Sequence, residues 1–100
     1  MSGRIVVYKY PLEVTDHQQV EVPEHSLILC VKGVRGKLCL YVMVACNVET
    51  TQLVDVRILG TGMKQEAKLF KDYMYIDTVV IDYTPQSLVW HIFTKGITKV

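Results

Sequence analysis

The sequence lacks any excess of charge, since 11 Lys and Arg residues against 10 Asp and Glu residues leave a formal net charge of +1. A chain that binds nucleic acid through general electrostatics is strongly basic, and a DNA mimic is strongly acidic. Neither class fits this balance, so we expect no generic nucleic-acid binding. Hydrophobic residues make up 50% of the chain and charged residues 21%, which is typical of a globular protein and argues against disorder.

Long apolar runs are absent as well. No stretch approaches the ~20 apolar residues that a membrane helix needs. The opening residues, MSGRIVVYKY, have neither a long apolar core nor a small-residue cleavage site, which a secretory signal peptide would have. We therefore expect no membrane partner and a cytoplasmic location.

Cysteine is scarce, and its spacing forms no motif. Cys30, Cys39 and Cys46 include no Cys-x-x-Cys pair, and their odd number argues against a disulfide framework. The sequence allows two states of these cysteines: a disulfide between Cys30 and Cys39 across a hairpin, or reduced, buried thiols. The composition favours the reduced thiols.

The sequence also lacks the marks of catalysis and of metal binding. His17, His25 and His91 have no metal-ligand spacing between any two of them. No nucleophile elbow surrounds Ser87, which precedes His91 in the last strand pattern. We expect no catalytic residues, no metal and no cofactor, and therefore no enzyme.

What the sequence does have is a long apolar hairpin at residues 26–46. Two apolar stretches flank a turn at residues 33–36, which begins and ends with glycine. A half-exposed antiparallel strand alternates apolar and polar residues, but these strands are apolar on both faces. The second face, with Cys39, Tyr41 and Met43, therefore needs cover from a helical insertion or from a second copy of the chain.

Shorter strand patterns surround this hairpin. Clean alternation or an enrichment in β-branched and aromatic residues predicts strands at residues 4–10, 18–22, 52–59, 73–83 and 87–94. About seven strands at short spacing predict a mainly β fold, a compact antiparallel sandwich or barrel, in a single domain over residues 1–100.

Three connecting segments complete this fold prediction. Residues 63–72 contain good helix formers, which predicts one short helix or ordered loop that lays Leu69 and Phe70 onto the sheet. A turn is expected at residues 84–86, and residues 95–100 are expected to fray.

A glycine turn is the first candidate site. Gly60-Thr61-Gly62 precedes the helical insertion, and Lys64 follows it by two residues. Backbone N–H groups in such a turn can bind a phosphate, with the lysine adding charge. A tight turn that leaves a strand is the other interpretation, and it is favoured because the spacing matches no nucleotide-binding loop.

Aromatic and imidazole side chains form the second group of candidates. Tyr73 and Tyr75 begin one strand pattern, and His91 lies in an apolar strand. Tyrosines are favoured at binding surfaces and are equally good strand formers, and His91 fits either a hydrogen-bonded core or interface residue or a ligand contact. The candidate ligand-binding residues are Gly60, Thr61, Gly62, Lys64, Tyr73, Tyr75 and His91.

Several short motifs together resemble a known family. They are residues 8–12 (YKYPL), 36–41 (GKLCLY), 60–62 (GTG) and 88–93 (LVWHIF). On these motifs, which span most of residues 4–93, the chain resembles a family of small bacteriophage proteins catalogued as a domain of unknown function. The resemblance implies a phage origin and no established activity. Small phage proteins of this size often act against host defence, by occluding a host enzyme or by sequestering its nucleotide messenger.

The expected function is therefore binding. We expect a small non-enzymatic phage accessory protein in the host cytoplasm that acts against host defence, by sequestering a nucleotide signal or by inhibiting a host protein. The number of strands that are apolar on both faces predicts a homo-oligomer, in which another copy supplies part of the cover. The alternative is a structural or assembly protein of the phage particle, in which small β-sandwiches make symmetric contacts.

Overall fold

Two four-stranded sheets form the molecule, and the computed structural model describes residues 3–83 and 86–100. The strands are β1 (Ile5–Leu12), β2 (His17–Pro23), β3 (Leu27–Val34), β4 (Lys37–Ala45), β5 (Thr51–Gly60), β6 (Met74–Tyr83), β7 (Gln86–Lys95) and β8 (Thr98–Lys99). A 3-10 turn, Ala67–Phe70, lies between β5 and β6. The strand order is β1-β4-β3-β8 in sheet A and β2-β5-β7-β6 in sheet B.

The two sheets pack face to face around a core of aliphatic side chains. Alternate residues of the central strands point inward and are at most 4% exposed, among them Leu38, Leu40, Val42, Val44, Val54, Val56 and Ile58. Burial of each such side chain contributes about 1.5–3 kcal/mol. The predicted mainly β sandwich is confirmed. The barrel alternative is wrong, because the two sheets remain separate over the described residues.

The hairpin forms at the centre of sheet A as β3 and β4. Its loop consists of Arg35 and Gly36, which have φ angles of 51° and 79°. Two successive positive φ angles define a type I′ turn, whose twist matches that of the strands. A bulge between Ile28 and Cys30 shifts the register, so that Ile28 and Val31 are both buried in the core and simple alternation fails along β3.

The cysteines do not meet across this hairpin. Cys30 lies opposite Tyr41, and Cys39 lies opposite Lys32. All three cysteines are free, with Cys39 buried and Cys46 exposed. The disulfide alternative is therefore wrong.

The outer face of sheet A is not covered by the insertion between β5 and β6. Phe70 of the 3-10 turn packs its ring edge-on against Phe93 of β7, with ring centroids 5.2 Å apart, so the insertion lies on sheet B. Of the two covers considered for Cys39, Tyr41 and Met43, the helical insertion is thereby excluded. Cover by a second copy stays a prediction.

The chain end departs from its prediction. Thr98 and Lys99 pair in parallel with Leu27 and Ile28, and the Val100 N–H donates to the Ile28 carbonyl at 2.9 Å, so residues 95–100 do not fray. Thr84 and Pro85 of the predicted turn lie outside the described residues. No helix in the described part of the chain is long and apolar enough to cross a membrane.

Candidate functional site

The outer face of sheet B carries most of the polar and aromatic chemistry of the fold. Because Val54, Val56 and Ile58 point into the core, Asp55 and Arg57 point outward from β5. The strand register sets Asp55 opposite Lys95, Arg57 opposite Phe93, and Leu59 opposite His91. On the other side of β7, Tyr75 lies opposite Phe93 and Thr78 opposite His91. The face thus runs from charged through aromatic to imidazole side chains.

A pocket of about 410 Å³ lies at the charged end of this face. We call it the Tyr73 pocket, and its lining residues are His17, Asp55, Arg57, Lys68, Leu69, Lys71, Asp72, Tyr73 and Lys95. β2, β5 and β7 supply one wall, and the segment that contains the 3-10 turn supplies the other. Four cationic side chains therefore face one small volume that contains two carboxylates.

The positive charge in the Tyr73 pocket is only partly compensated. Arg57 Cζ lies 5.5 Å and Lys95 Nζ 5.2 Å from the centroid of the Tyr73 ring, within the range of cation–π attraction. The Arg57 Nε is buried and has no hydrogen-bond partner among the described residues. Lys68 Nζ lies 3.2 Å from Glu66 Oε2, whereas Lys71 makes no ion pair within the described residues. Such a volume favours an anion.

Asp55, one of the two carboxylates, is engaged by β2. His17 Nε2 donates to Asp55 Oδ1 at 2.9 Å, and Gln19 Nε2 donates to the same oxygen at 3.1 Å. The hydrogen bond from His17 is the main cause of the lowered pKa of Asp55, and partial burial opposes it. The hydrogen bond from Gln19 and the charges of His17 and Lys95 lower that pKa further. Asp55 is therefore ionised and already holds two donors.

An aromatic cluster joins the pocket to the rest of the face. Phe70 contacts Phe93 at 5.2 Å and Tyr73 at 6.1 Å, and Tyr75 contacts Phe93 at 5.8 Å between ring centroids. The two pairs with Phe93 are edge-to-face, and each such pair contributes about 0.5–1.5 kcal/mol beyond the area it buries. They fix the 3-10 turn on sheet B and so hold Tyr73 in place.

A chain of hydrogen bonds crosses the imidazole end of the face. His91 Nε2 lies 2.7 Å from Thr61 Oγ1, and His91 Nδ1 lies 3.0 Å from Thr78 Oγ1. Thr78 Oγ1 is in turn 2.6 Å from the hydroxyl of Tyr75. Three of the candidate residues, Thr61, Tyr75 and His91, are thus joined in one network in which both imidazole nitrogens have partners.

The glycine turn uses its own N–H groups. The Met63 N–H donates to the Gly60 carbonyl at 3.0 Å, and the Thr61 N–H donates to the Val89 carbonyl at 3.2 Å. Gly62 has a φ of 86°, as the third residue of a type II turn requires. Both of these N–H groups are therefore engaged within the fold, and Lys64 is exposed and not among the residues that line the Tyr73 pocket.

A second cavity of about 410 Å³ lies beside this turn. Gly60, Thr61, Met63, Ser87, Leu88, Val89 and Trp90 line it. Its lining is mostly apolar, and it contains no Lys or Arg side chain. Among the described residues, no group of three or more His, Cys, Asp and Glu side chains is placed to hold a metal ion.

The sequence-based candidates included Tyr73 but missed the cations around it. Arg57 and Lys95 are 38 residues apart in the chain, and only the pairing of β5 with β7 brings them together. The one available signal was the outward position of Arg57 in an alternating strand. Nothing in the sequence showed which strand would lie next to it.

Comparison with known proteins identifies a family and no characterised relative. A family model described as a domain of unknown function (DUF7352) matches residues 4–99. No curated protein and no solved structure matches the chain. The resemblance to a domain of unknown function is confirmed, and the phage origin stays a prediction.

Proposed function

We propose that this chain, which belongs to the DUF7352 family, is a non-enzymatic binding protein whose Tyr73 pocket takes a small phosphate-bearing ligand of the nucleotide class. The observation that carries the proposal is a pocket of about 410 Å³ that is lined by Arg57, Lys68, Lys71 and Lys95 and in which Arg57 and Lys95 lie over the Tyr73 ring. Guanidinium and ammonium groups donate charge-assisted hydrogen bonds to phosphate oxygens. The buried Arg57 Nε still has a hydrogen bond to give.

A nucleotide fits this pocket better than a bare phosphate does. Leu69 and Tyr73 add apolar surface to the cationic wall, and aromatic side chains stack on nucleobases. The volume falls within the range of about 300–1,000 Å³ that small-molecule sites occupy. The two parts of a nucleotide, its charge and its planar base, match the two kinds of side chain present.

Thermal-shift measurements test the proposal with defined probes. Cyclic nucleotides and ADP-ribose-type nucleotides are the test ligands, inorganic pyrophosphate is the phosphate-only probe, and a nucleoside is the base-only probe. A ligand at 100 times its Kd stabilises the folded state by about 2.7 kcal/mol. We expect this stabilisation from a nucleotide, a smaller one from pyrophosphate, and a decline of both as salt screens the charges.

Matched lysine variants distinguish the two candidate places for the phosphate. Lys95→Gln removes a cation from the Tyr73 pocket, and Lys64→Gln removes an exposed cation beside the glycine turn. We expect Lys95→Gln to abolish the nucleotide-induced shift and Lys64→Gln to leave it intact. A shift lost only in Lys64→Gln or in a Gly62 variant moves the site to the glycine turn, and the absence of any shift at millimolar nucleotide contradicts the proposal.

The wider role proposed for the protein is that of a bacteriophage accessory protein in the host cytoplasm, acting against host defence by sequestering a nucleotide signal. Two things support this role: the sequence resemblance to small phage proteins, and the cationic and aromatic lining of the Tyr73 pocket, which suits a nucleotide. The neighbourhood of the gene tests this role. Defence-counteracting genes next to it would agree with it, and a bacterial housekeeping operon would contradict it.

A second candidate function is a structural or assembly role in a phage particle, and one observation favours it. Ile5 and Val7 on the outer face of sheet A are 51% and 49% exposed, and exposed aliphatic side chains on a sheet suit a protein contact. Inhibition of a host protein would use the same kind of surface. Mass spectrometry of purified virions decides the assembly role, because absence from the particle rules it out.

A further inference from the structure

The edge of β1 presents main-chain groups for which residues 3–83 and 86–100 of the sandwich provide no partner strand. β1 is the outermost strand of sheet A, and the Cys46 N–H donates to the Arg4 carbonyl at 2.9 Å. Hydrogen-bonded pairs recur at every second residue of an antiparallel ladder, so Val6 and Tyr8 direct their main-chain groups toward β4. Ile5, Val7 and Lys9 therefore direct theirs out of the sheet.

The prolines of the fold agree with this assignment. Pro11 belongs to the same outward series as Val7, so its missing N–H removes no bond to β4. On β2, the Glu24 N–H donates to the Thr50 carbonyl at 2.9 Å, which places Pro23 in the outward series of that strand as well. These two edge strands, β1 and β2, thus carry proline only where the sheet needs no donor.

The two edges differ in how their outward residues are protected. The outward residues of β2 ahead of Pro23 are polar, and all three are tied to β5: His17 and Gln19 donate to Asp55 at 2.9 and 3.1 Å, and Glu21 accepts from the Thr51 hydroxyl at 3.2 Å. Charged and polar side chains on an edge discourage further pairing. On β1, Lys9 and Pro11 protect the second half of the edge in the same way, but Ile5 and Val7 in the first half are apolar and about half exposed. The first half of the β1 edge is therefore less protected than the β2 edge.

Charge argues for this edge rather than the outer face of sheet A as a contact between copies. The strands of sheet A carry Lys9, Lys32, Lys37 and Lys99 and no Asp or Glu. Two copies packed face to face through this sheet would bring lysines together without a carboxylate to compensate them. Pairing at the edge leaves most of these side chains in solvent.

We propose that a second copy of the chain pairs antiparallel with β1 at this edge, so that two A sheets join into one continuous sheet about a two-fold axis at Val7. Val7 then lies opposite Val7 of the second copy, and Ile5 lies opposite Lys9. Each of these outward pairs can exchange two main-chain hydrogen bonds, and no like charges stand directly opposite one another. The Tyr73 pocket lies on sheet B and is independent of this contact.

Sedimentation equilibrium from micromolar to millimolar concentration tests the contact with a proline pair. Val7→Pro removes the central outward N–H and no bond to β4, so we expect a folded protein by circular dichroism with dimerisation at least ~10-fold weaker. Gln19→Pro makes the same change on the free edge of β2 and should leave dimerisation unchanged. A wild-type chain that stays monomeric over this concentration range overturns the proposal. Dimerisation that is weakened equally in Val7→Pro and Gln19→Pro overturns it as well.

A charge exchange at the axis gives a second, independent readout. Val7→Lys and Val7→Glu each place like charges opposite one another in a homodimer, so we expect each variant alone to dimerise at least ~10-fold more weakly than the wild type. A mixture of the two should recover a mixed dimer, because only the mixed pair sets Lys opposite Glu. If neither substitution weakens dimerisation, or if the mixture forms no mixed dimer, Val7 does not lie opposite Val7 of the second copy.

Discussion

The carboxylate of Asp77 in β6 accepts a hydrogen bond from the main-chain N–H of Val31 in β3, at 3.1 Å. In the part of the chain that the structure describes, β8 pairs with Leu27 and Ile28 and no strand continues that pairing along β3, so Asp77 occupies part of an open edge. The second oxygen of Asp77 accepts the Thr78 N–H at 2.9 Å, and Lys32 Nζ lies 3.9 Å from the first. One side chain therefore links the two sheets and blocks an edge that a foreign strand could otherwise extend.

Removing this carboxylate should destabilise the fold. Asp77→Ala leaves the Val31 N–H without its partner in a partly buried place, at a cost of about 1–3 kcal/mol, whereas Asp77→Asn keeps an acceptor and should cost less than half as much. Asp82→Ala removes an exposed acid on the same strand together with its surface hydrogen bond from the Ser87 hydroxyl, and should cost only about 0.5 kcal/mol. Urea unfolding measures all three, and equal values for Asp77→Ala and Asp82→Ala would contradict the role of the link.

The hairpin loop contains a strained residue that can be improved. Arg35 has a φ of 51°, a conformation that costs most L-residues about 1–2 kcal/mol but suits Asn. Arg35→Asn creates the Asn-Gly pair that type I′ turns prefer, and we expect a gain of about 0.5–1 kcal/mol. Gly36→Ala, at a φ of 79°, should lower the stability. Thermal unfolding of both variants checks the opposite signs.

The parts of the fold that could be predicted are those set by local pattern. Alternation in residues 52–59 placed Asp55 and Arg57 on the outside, and two apolar stretches around a glycine turn defined β3 and β4. The bulge between Ile28 and Cys30 could not be foreseen, because no glycine or proline marks it. β8 consists of two residues and exists only through its pairing with β3, so its own sequence carries too little pattern to reveal it.

The candidate site was partly predictable for the same reason. Tyr73, Tyr75 and His91 stand out by residue type, but the pocket depends on which strands become neighbours. The net charge of +1 averages over the whole chain and hides the grouping of Arg57 with Lys95. Local composition indicates single residues, and strand order determines whether their charges combine.

The close approach at Gly60 explains why a glycine ends β5. A Cβ at Gly60 would lie 2.8 Å from Met63 Sδ and 3.0 Å from Trp90 Cζ3, whereas a Cβ at Gly33 would lie 3.4 Å from its nearest neighbour, Val79 Cγ1. The half-exposed Met63 side chain can move aside, so the 3.0 Å approach to the Trp90 ring sets most of the cost. We expect Gly60→Ala to destabilise the fold by about 1 kcal/mol through overpacking, and Gly33→Ala to be tolerated. Chemical denaturation compares the free energies of unfolding of the two variants. If the double variant Gly60→Ala/Met63→Ala recovers part of the stability lost in Gly60→Ala, Met63 is the clashing side chain.

Stability should depend on pH through Asp55. Its pKa is lowered in the folded state, chiefly by the hydrogen bond from His17, so its contribution is present above the ordinary carboxyl pKa of about 3.9. It is lost as the pH falls through the folded-state value. Asp55→Asn should therefore be less stable than the wild type at pH 5, with a difference that shrinks toward pH 2. When His17 is first replaced by Ala, the stability lost through Asp55→Asn should be smaller at every pH. An undiminished loss would show that the hydrogen bond from His17 is not the main cause of the lowered pKa.

The ring of Tyr73 should matter for a nucleotide more than for a phosphate. Stacking of a base on an aromatic side chain is worth about 1–3 kcal/mol, so Tyr73→Leu should weaken nucleotide binding ~5–150-fold while Tyr73→Phe, which keeps the ring, changes it little. Pyrophosphate has no base to stack, and its weaker binding should change far less in Tyr73→Leu. Isothermal titration with both probes checks this. Equal weakening of both would mean that the ring acts only by holding Arg57 and Lys95 in place, at 5.5 and 5.2 Å from its centroid, and that the base binds elsewhere.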